Sequence, residues 1–173
     1  DIKSYDYDPE RAQELLAEAP WTDSDGDGIV DKDGVKFSFE WLNRSGRADR
    51  IAIAQVAQAQ LKAVGIESTM VELEAAAWSQ RWRTFNWEAQ VGGWFMSSDA
   101  SLTNYYHTRD GENGSNNFTG FSFPELDALM IASDKVLDYE TRKPLLDEAQ
   151  QILADEAPVI FLYYRDSPWV VAD

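Results

Sequence analysis

The segment Asp23-Ser24-Asp25-Gly26-Asp27-Gly28 sets three carboxylates at alternate positions around a glycine that permits a sharp turn. That spacing matches the first half of a calcium-binding loop, in which hard oxygen ligands surround a hard cation. Ile29 falls where such a loop offers a backbone carbonyl, and Asp31 where a ligand often acts through water. Gly34 stands where the bidentate Glu should be. Two readings stand. One is a structural Ca²⁺ site on Asp23, Asp25, Asp27, Ile29 and Asp31. The other is an acidic surface turn stiffened by Asx-type hydrogen bonds.

Gly93-Trp94 closes a stretch that reads as a strand over residues 88–95. In open α/β sheets ligands gather at the carboxyl ends of strands, and an indole offers a flat apolar wall with one donor. Ser97 and Asp99 follow on the next loop and extend the candidate site. A core role for Trp94 is the competing reading. Asn43, Arg44 and Ser45 lie between a strand end and a helix start, where free backbone N–H groups favour a carboxylate, phosphate or carbonyl oxygen. Ordinary capping accounts for Asn43 and Ser45 as well. Asn117, in a loop rich in Gly, Ser and Asn, either lines a cleft or covers its edge. His107 is the only histidine and there is no cysteine, so neither a transition-metal centre nor a catalytic triad can be inferred. Acidic residues number 31, and their spacing favours no hydrolytic carboxylate pair.

These groups need elements to carry them. Asp8-Pro9-Glu10 predicts a helix start, with apolar spacing through Ala19 and a stop at Pro20. Val35, Phe37, Phe39 and Trp41 alternate with polar residues and predict a half-buried strand. A helix is expected over 48–64, with a stripe of Ile53, Val56, Ala57, Leu61 and Val64, and Gly65 as its left-handed stop. A strand over 66–73, a helix over 75–84 and the strand at 88–95 follow. Residues 97–120 read as loop with a short helix near 102–107. Helices over 124–137 and 139–155 precede an apolar run at 159–164, the mark of a buried strand. The order gives an α/β fold: a mixed four- to five-stranded sheet flanked by helices, one lobe spanning 1–173.

The chain has 173 residues, 15 basic against 31 acidic, a formal charge of −16 and a pI near 4.3. That balance disfavours nucleic acid and anionic membrane surfaces, which bind through Lys and Arg. Hydrophobic residues make up 44% and there are seven Trp, enough to build a core. No run reaches the ~18 apolar residues of a membrane span, and no signal peptide opens the chain. The first residues read as a start in mid-protein, and the chain is expected to be an excised segment.

Several segments in order resemble the extracellular solute-binding proteins of ABC importers, the type that includes oligopeptide, dipeptide and nickel binders. They are Tyr7-Asp8-Pro9-Glu10-Arg11-Ala12 with Leu15-Leu16-Ala17-Glu18-Ala19, then Trp21 and the aspartate loop. Ile53-Ala54-Gln55, Gln60-Leu61-Lys62, Val64-Gly65-Ile66 and Gly93-Trp94 come next. Asn117, Gly120-Phe121-Ser122, Pro124-Glu125-Leu126-Asp127-Ala128-Leu129, Ala149-Gln150, Ile152-Leu153, Ala157-Pro158 and Leu162-Tyr163-Tyr164 complete the set. The resemblance implies the second lobe of a two-lobed clamp that closes on a peptide or small polar solute. Its implied partners are that ligand, the missing first lobe and the membrane permease of an ABC importer. It implies a periplasmic or extracellular place, with a membrane anchor in the whole protein, and no catalysis or required cofactor. In peptide-binding relatives an Asp three residues after the Trp holds the ligand's α-ammonium. Ser97 stands there, with Asp99 two residues on. The competing functions are a hydrolase domain working through a carboxylate pair near Asp99, and a calcium-stabilised structural module.

Overall fold

The computed structural model describes residues 2, 4–94, 101–110 and 115–163. The chain forms two compact units, Tyr5–Ala100 and Ser101–Asp173, the second joined by Asp1–Ser4.

The first unit opens with α1, Pro9–Glu18. Asp8 caps it, its carboxylate accepting from Arg11 N at 2.8 Å, and Pro9 sits in the first turn, where the missing N–H costs nothing. After the aspartate loop, β1 (Asp31–Lys32) and β2 (Val35–Lys36) form an antiparallel hairpin. Asp33 and Gly34 have φ of 54° and 76°, the paired left-handed residues of a tight hairpin turn. The expected strand beginning at Val35 is therefore split. Phe37 N donates to Val30 O while Phe37 O accepts from Glu67 N, so the chain changes pairing partner at that residue.

The larger sheet pairs β3 (Ser38–Arg44) with β4 (Glu67–Leu73) in parallel, from Ser38↔Glu67 to Arg44↔Leu73. The crossover between them is α2, Ala48–Ala63. Its fully buried residue is Ala54, and Val56 is 59% exposed although its spacing suggested core. Gly65 ends the crossover at φ 87°, with Ile66 N reaching back to Leu61 O at 2.9 Å. A Cβ at Gly65 would meet Val30 Cγ1 at 2.9 Å. Gly65→Ala is expected to cost about 1–2 kcal/mol from the left-handed backbone alone. A denaturant midpoint unchanged from wild type would contradict that packing.

β4 leads to α3, Ala75–Arg83, on which Trp78 and Trp82 stack with ring centroids 5.1 Å apart. Beyond it the expected strand at 88–95 shrinks to one parallel rung, Trp41↔Ala89, with Leu42 N donating to Ala89 O at 2.7 Å and Ala89 N to Glu40 O at 3.1 Å. Pairing fades where Gly92-Gly93 brings no side chain to pack. Phe95 lies outside the described residues.

The second unit is helical among its described residues: α4 (Thr103–Tyr106), α5 (Pro124–Asp134) and α6 (Tyr139–Glu156). Leu126, Met130, Ala149 and Leu153 form the buried seam of the α5–α6 pair. Ala157, left-handed at φ 45°, and Pro158 stop α6. The α/β class therefore holds. The described residues show two two-stranded sheets, with Ala89 bridging to β3, and residues 159–163 carry no strand pairing with other described residues.

Candidate functional site

β3 and β4 run parallel and in register, so Arg44 and Leu73 end at one edge, where Ser45 N donates to Leu73 O at 2.9 Å. The rung at Ala89 is parallel too, which carries the chain toward that edge at Gly92, Gly93 and Trp94. Asn43 and Arg44 stand at the carboxyl end of β3 with Ser45 just beyond it, and the chain after the Ala89 rung runs in the same direction toward Trp94. Ser97 and Asp99 lie outside the described residues.

Asn43 is 4% exposed. Its Nδ2 donates to Trp41 O at 3.3 Å, while Oδ1 is buried without a hydrogen-bond partner. An unpaired buried amide oxygen costs about 1–3 kcal/mol, so this atom calls for a donor. Two helices also begin at this edge. Arg47 precedes α2 and Glu74 precedes α3, and neither side chain caps its helix. At α2 the Asp49 carboxylate, inside the first turn, accepts from the backbone N–H of Arg50. Arg47 instead pairs with Asp49 at 3.1 Å, and that hydrogen-bonded cation holds the Asp49 carboxyl at about 2. Gln90 Oε1 and Trp87 Nε1 are further buried polar atoms without partners, on the segment beside β3. Gln90 was not singled out from sequence, although a Gln inside Ala89-Gln90-Val91 is a visible polar break in an apolar run.

Asn117 plays another part. It is 1% exposed, and its amide is spent inside its own unit. Nδ2 donates to Tyr106 O at 3.1 Å and Phe121 O at 2.9 Å, while Oδ1 accepts from Thr119 N at 3.1 Å and Thr119 Oγ1 at 2.7 Å. The amide thus serves as a clamp that holds the turn before α5. His107 is the C-cap of α4, its backbone N–H donating to Thr103 O at 3.2 Å.

In the aspartate loop, carboxylate oxygens of Asp23, Asp25 and Asp27 lie within 4.8 Å of one another, and all three residues are exposed. Asp23 accepts from Gly26 N at 2.8 Å and Gly28 N at 2.9 Å, and Asp27 from Ile29 N at 3.0 Å. Lys36 Nζ, from β2, contacts the Asp27 carboxylate and lies 3.5 Å from Asp25. Asp31 turns to Ser24, accepting from its N at 3.0 Å and its Oγ at 2.7 Å. So the three leading carboxylates converge as a cation loop requires, while Asp31 is engaged by Ser24 and a lysine already faces the cluster.

The family model for bacterial extracellular solute-binding proteins, family 5, matches residues 1–117. The chain belongs to that family. It is 34% identical over 169 residues to the oligopeptide-binding protein AppA of Bacillus subtilis, covering 96% of this chain and 31% of AppA. The solved structure of AppA in complex with a nonapeptide superposes with a TM-score of 0.84 at 31% identity, covering 91% of this chain and 32% of that one. The oligopeptide-binding protein of Thermus thermophilus, complexed with a pentapeptide, gives a TM-score of 0.76 at 26% identity over 91% of this chain and 30% of that one. This family-5 chain therefore spans about a third of the length of the relatives it matches. The family is one of extracellular binding proteins, and among the described residues no helix is long and apolar enough to cross a membrane.

Proposed function

We propose that this family-5 chain supplies one half of the ligand cleft of a solute-binding protein that delivers an oligopeptide, or a related small polar solute, to an ABC importer. The observation that carries the reading is the shared edge of β3, β4 and the Ala89 rung. There Asn43 offers a buried acceptor, the start of α3 offers N–H donors without a side-chain cap, and Trp94 follows five residues after the Ala89 rung. A peptide amide presents one donor and one acceptor at fixed separation, which suits this pairing. The relatives reported with a nonapeptide and a pentapeptide support it. The chain acts by binding and makes or breaks no bond. The whole protein works in the periplasm or outside the cell, closes with a first lobe and is received by a membrane permease.

Titration calorimetry of the full-length gene product against oligopeptides and their N-acetylated forms tests the reading. Because Ser97 replaces the Asp implied by the resemblance, acetylation is expected to weaken binding less than ~10-fold, under about 1.4 kcal/mol. A loss beyond ~100-fold would restore a carboxylate on the ammonium. No heat with any peptide would remove the peptide assignment.

The aspartate loop is a second, structural element of the proposal: Lys36 supplies its counter-charge, and Ca²⁺ is not required. The Lys36 hydrogen bond holds the Asp27 carboxyl below its ordinary value, and the hydroxyl and N–H of Ser24 do the same for Asp31. Asp27 in turn raises the Lys36 ammonium. Depressed carboxyls stabilise the fold above their ordinary pKa and lose that effect as pH falls through the folded values. The raised lysine stabilises below its ordinary pKa and fails as pH rises through its own folded value. The loop is therefore expected to loosen below about pH 4, read by exchange of the Gly26 and Gly28 amides. With a net charge of −16, melting should rise with ionic strength, calcium chloride acting no more strongly than sodium chloride at matched strength. A calcium-specific rise in melting temperature would establish a bound cation instead.

A further inference from the structure

Asp-Gly occurs three times in the acidic loop and the hairpin after it, as Asp25-Gly26, Asp27-Gly28 and Asp33-Gly34. This dipeptide has a covalent chemistry of its own. Glycine has no Cβ to shield its nitrogen, so that nitrogen can close on the γ-carbon of the preceding Asp. Space does not separate the three, since a Cβ at Gly26, Gly28 or Gly34 would meet nothing within 4 Å. Hydrogen bonding does. Gly26 N donates to Asp23 Oδ1 at 2.8 Å and Gly28 N to Asp23 Oδ2 at 2.9 Å, so one carboxylate holds both nitrogens away from attack. The carboxyl groups they would attack are held as well. Asp25 Oδ1 accepts from Asp27 N at 3.2 Å, Asp27 Oδ1 accepts from Ile29 N at 3.0 Å, and Lys36 contacts the Asp27 carboxylate. That lysine keeps the Asp27 carboxyl ionised, and a carboxylate is a poorer electrophile than a carboxylic acid.

Asp33-Gly34 lacks these restraints. It forms the two-residue turn of the hairpin, left-handed at both residues, between strands that pair over only two positions. Among the described residues neither the Asp33 carboxylate nor Gly34 N has a hydrogen bond or ion pair. So short a ladder opens locally at little cost, which frees the turn to reach the geometry of ring closure. We propose that Asp33-Gly34 is a site of spontaneous backbone isomerisation, from which Asp23 protects the neighbouring Asp25-Gly26 and Asp27-Gly28. Gly34 N forms a bond to Asp33 Cγ, and the amide proton leaves with the carboxyl hydroxyl as water. Water then opens the five-membered imide in one of two ways. Breaking the new N–Cγ bond restores aspartate. Breaking the original peptide bond leaves isoaspartate, with the main chain running through Cβ and Cγ and the α-carboxylate free. One water leaves and one returns, and nothing is oxidised or reduced. The extra backbone atom no longer fits a two-residue turn, so the modification detaches Lys36 from Asp25 and Asp27.

Peptide mapping of the full-length gene product, stored near neutral pH either folded or in urea, tests this. Digestion with a protease that cuts before Asp but not before isoaspartate assigns each position. In the folded protein isoaspartate at position 33 is expected to build up at least ~10-fold faster than at 25 or 27, whose glycine N–H groups must first break a hydrogen bond to a charged group. In urea the three rates should converge. Asp23→Ala should bring positions 25 and 27 up toward the rate of position 33 in the folded protein. If that variant does not fold, the comparison of folded and urea-unfolded wild type carries the test. The isolated form with isoaspartate at 33 should exchange the amides of Val35 and Lys36 faster than the unaged protein, because the hairpin is lost. Equal rates at the three positions in the folded protein, or no isoaspartate at 33, would overturn the proposal. Slow isomerisation at 25 and 27 in folded Asp23→Ala would remove the protective role of Asp23. Unchanged protection at Val35 and Lys36 would contradict the detachment of Lys36. No ligand is present in these measurements, so failure of the peptide reading would leave their outcome untouched.

Discussion

Asn117→Ala is expected to destabilise the chain by about 3 kcal/mol. Asn117 is 1% exposed, and its two amide atoms bond the carbonyls of Tyr106 and Phe121 and both the N–H and the hydroxyl of Thr119. Each such bond contributes about 0.5–1.5 kcal/mol net, and a buried group left without its partner costs about 1–3 kcal/mol. Alanine removes all the bonds and orphans the partners within the turn that delivers Pro124 to α5. Asn117→Asp should also destabilise, because the carboxylate keeps the acceptor but cannot donate to two carbonyls. Chemical denaturation checks both. A loss under ~1 kcal/mol for Asn117→Ala, together with weakened ligand binding by the full-length protein, would return Asn117 to the ligand cleft.

The second large effect is expected at Trp94. In the full-length protein, Trp94→Ala should weaken ligand binding at least ~30-fold, since truncating a central aromatic anchor costs about 2 kcal/mol or more. Trp94 is half-buried, and it follows two glycines at the edge to which β3 and β4 point. A core tryptophan would behave differently. Its loss would cost about 3–5 kcal/mol of stability and leave affinity intact once the protein is folded. Measuring Kd and the denaturant midpoint on the same sample separates the two roles. Unchanged affinity with a large loss of stability would make Trp94 a packing residue.

The helices were legible because their ends are written in local chemistry. Asp8-Pro9-Glu10 starts α1 at Pro9, and Gly65 supplies the left-handed stop after α2. Asp138 begins α6, accepting from Thr141 N at 2.9 Å. Strands were less legible, because pairing depends on distant segments. The alternation from Val35 to Trp41 runs unbroken through Phe37, where the backbone leaves one partner for another, and side-chain period carries no sign of that change. Residues 159–163 have the composition of a buried strand, yet among the described residues of their unit there is no strand beside them and Ile160 is 81% exposed. The parallel pairing of β3 with β4 and the Ala89 rung agrees with the expectation that Asn43, Arg44 and Ser45 lie toward the side to which the chain at Trp94 runs. Asn117 could not be sorted the same way. A polar residue in a Gly/Ser/Asn loop looks alike whether its amide faces a ligand or closes its own turn, and only the folded loop reveals that the amide is spent. Lys36 was missed as the counter-charge of the aspartate loop because the Asp33-Gly34 turn folds it back over the acids.

Native mass spectrometry of the full-length gene product, purified without added ligand, tests peptide binding most directly. The expected result is protein carrying bound peptide masses that are lost on unfolding and regained when oligopeptides are returned to the refolded protein. Protein that stays bare in the presence of oligopeptides, or that cleaves them, would contradict the assignment.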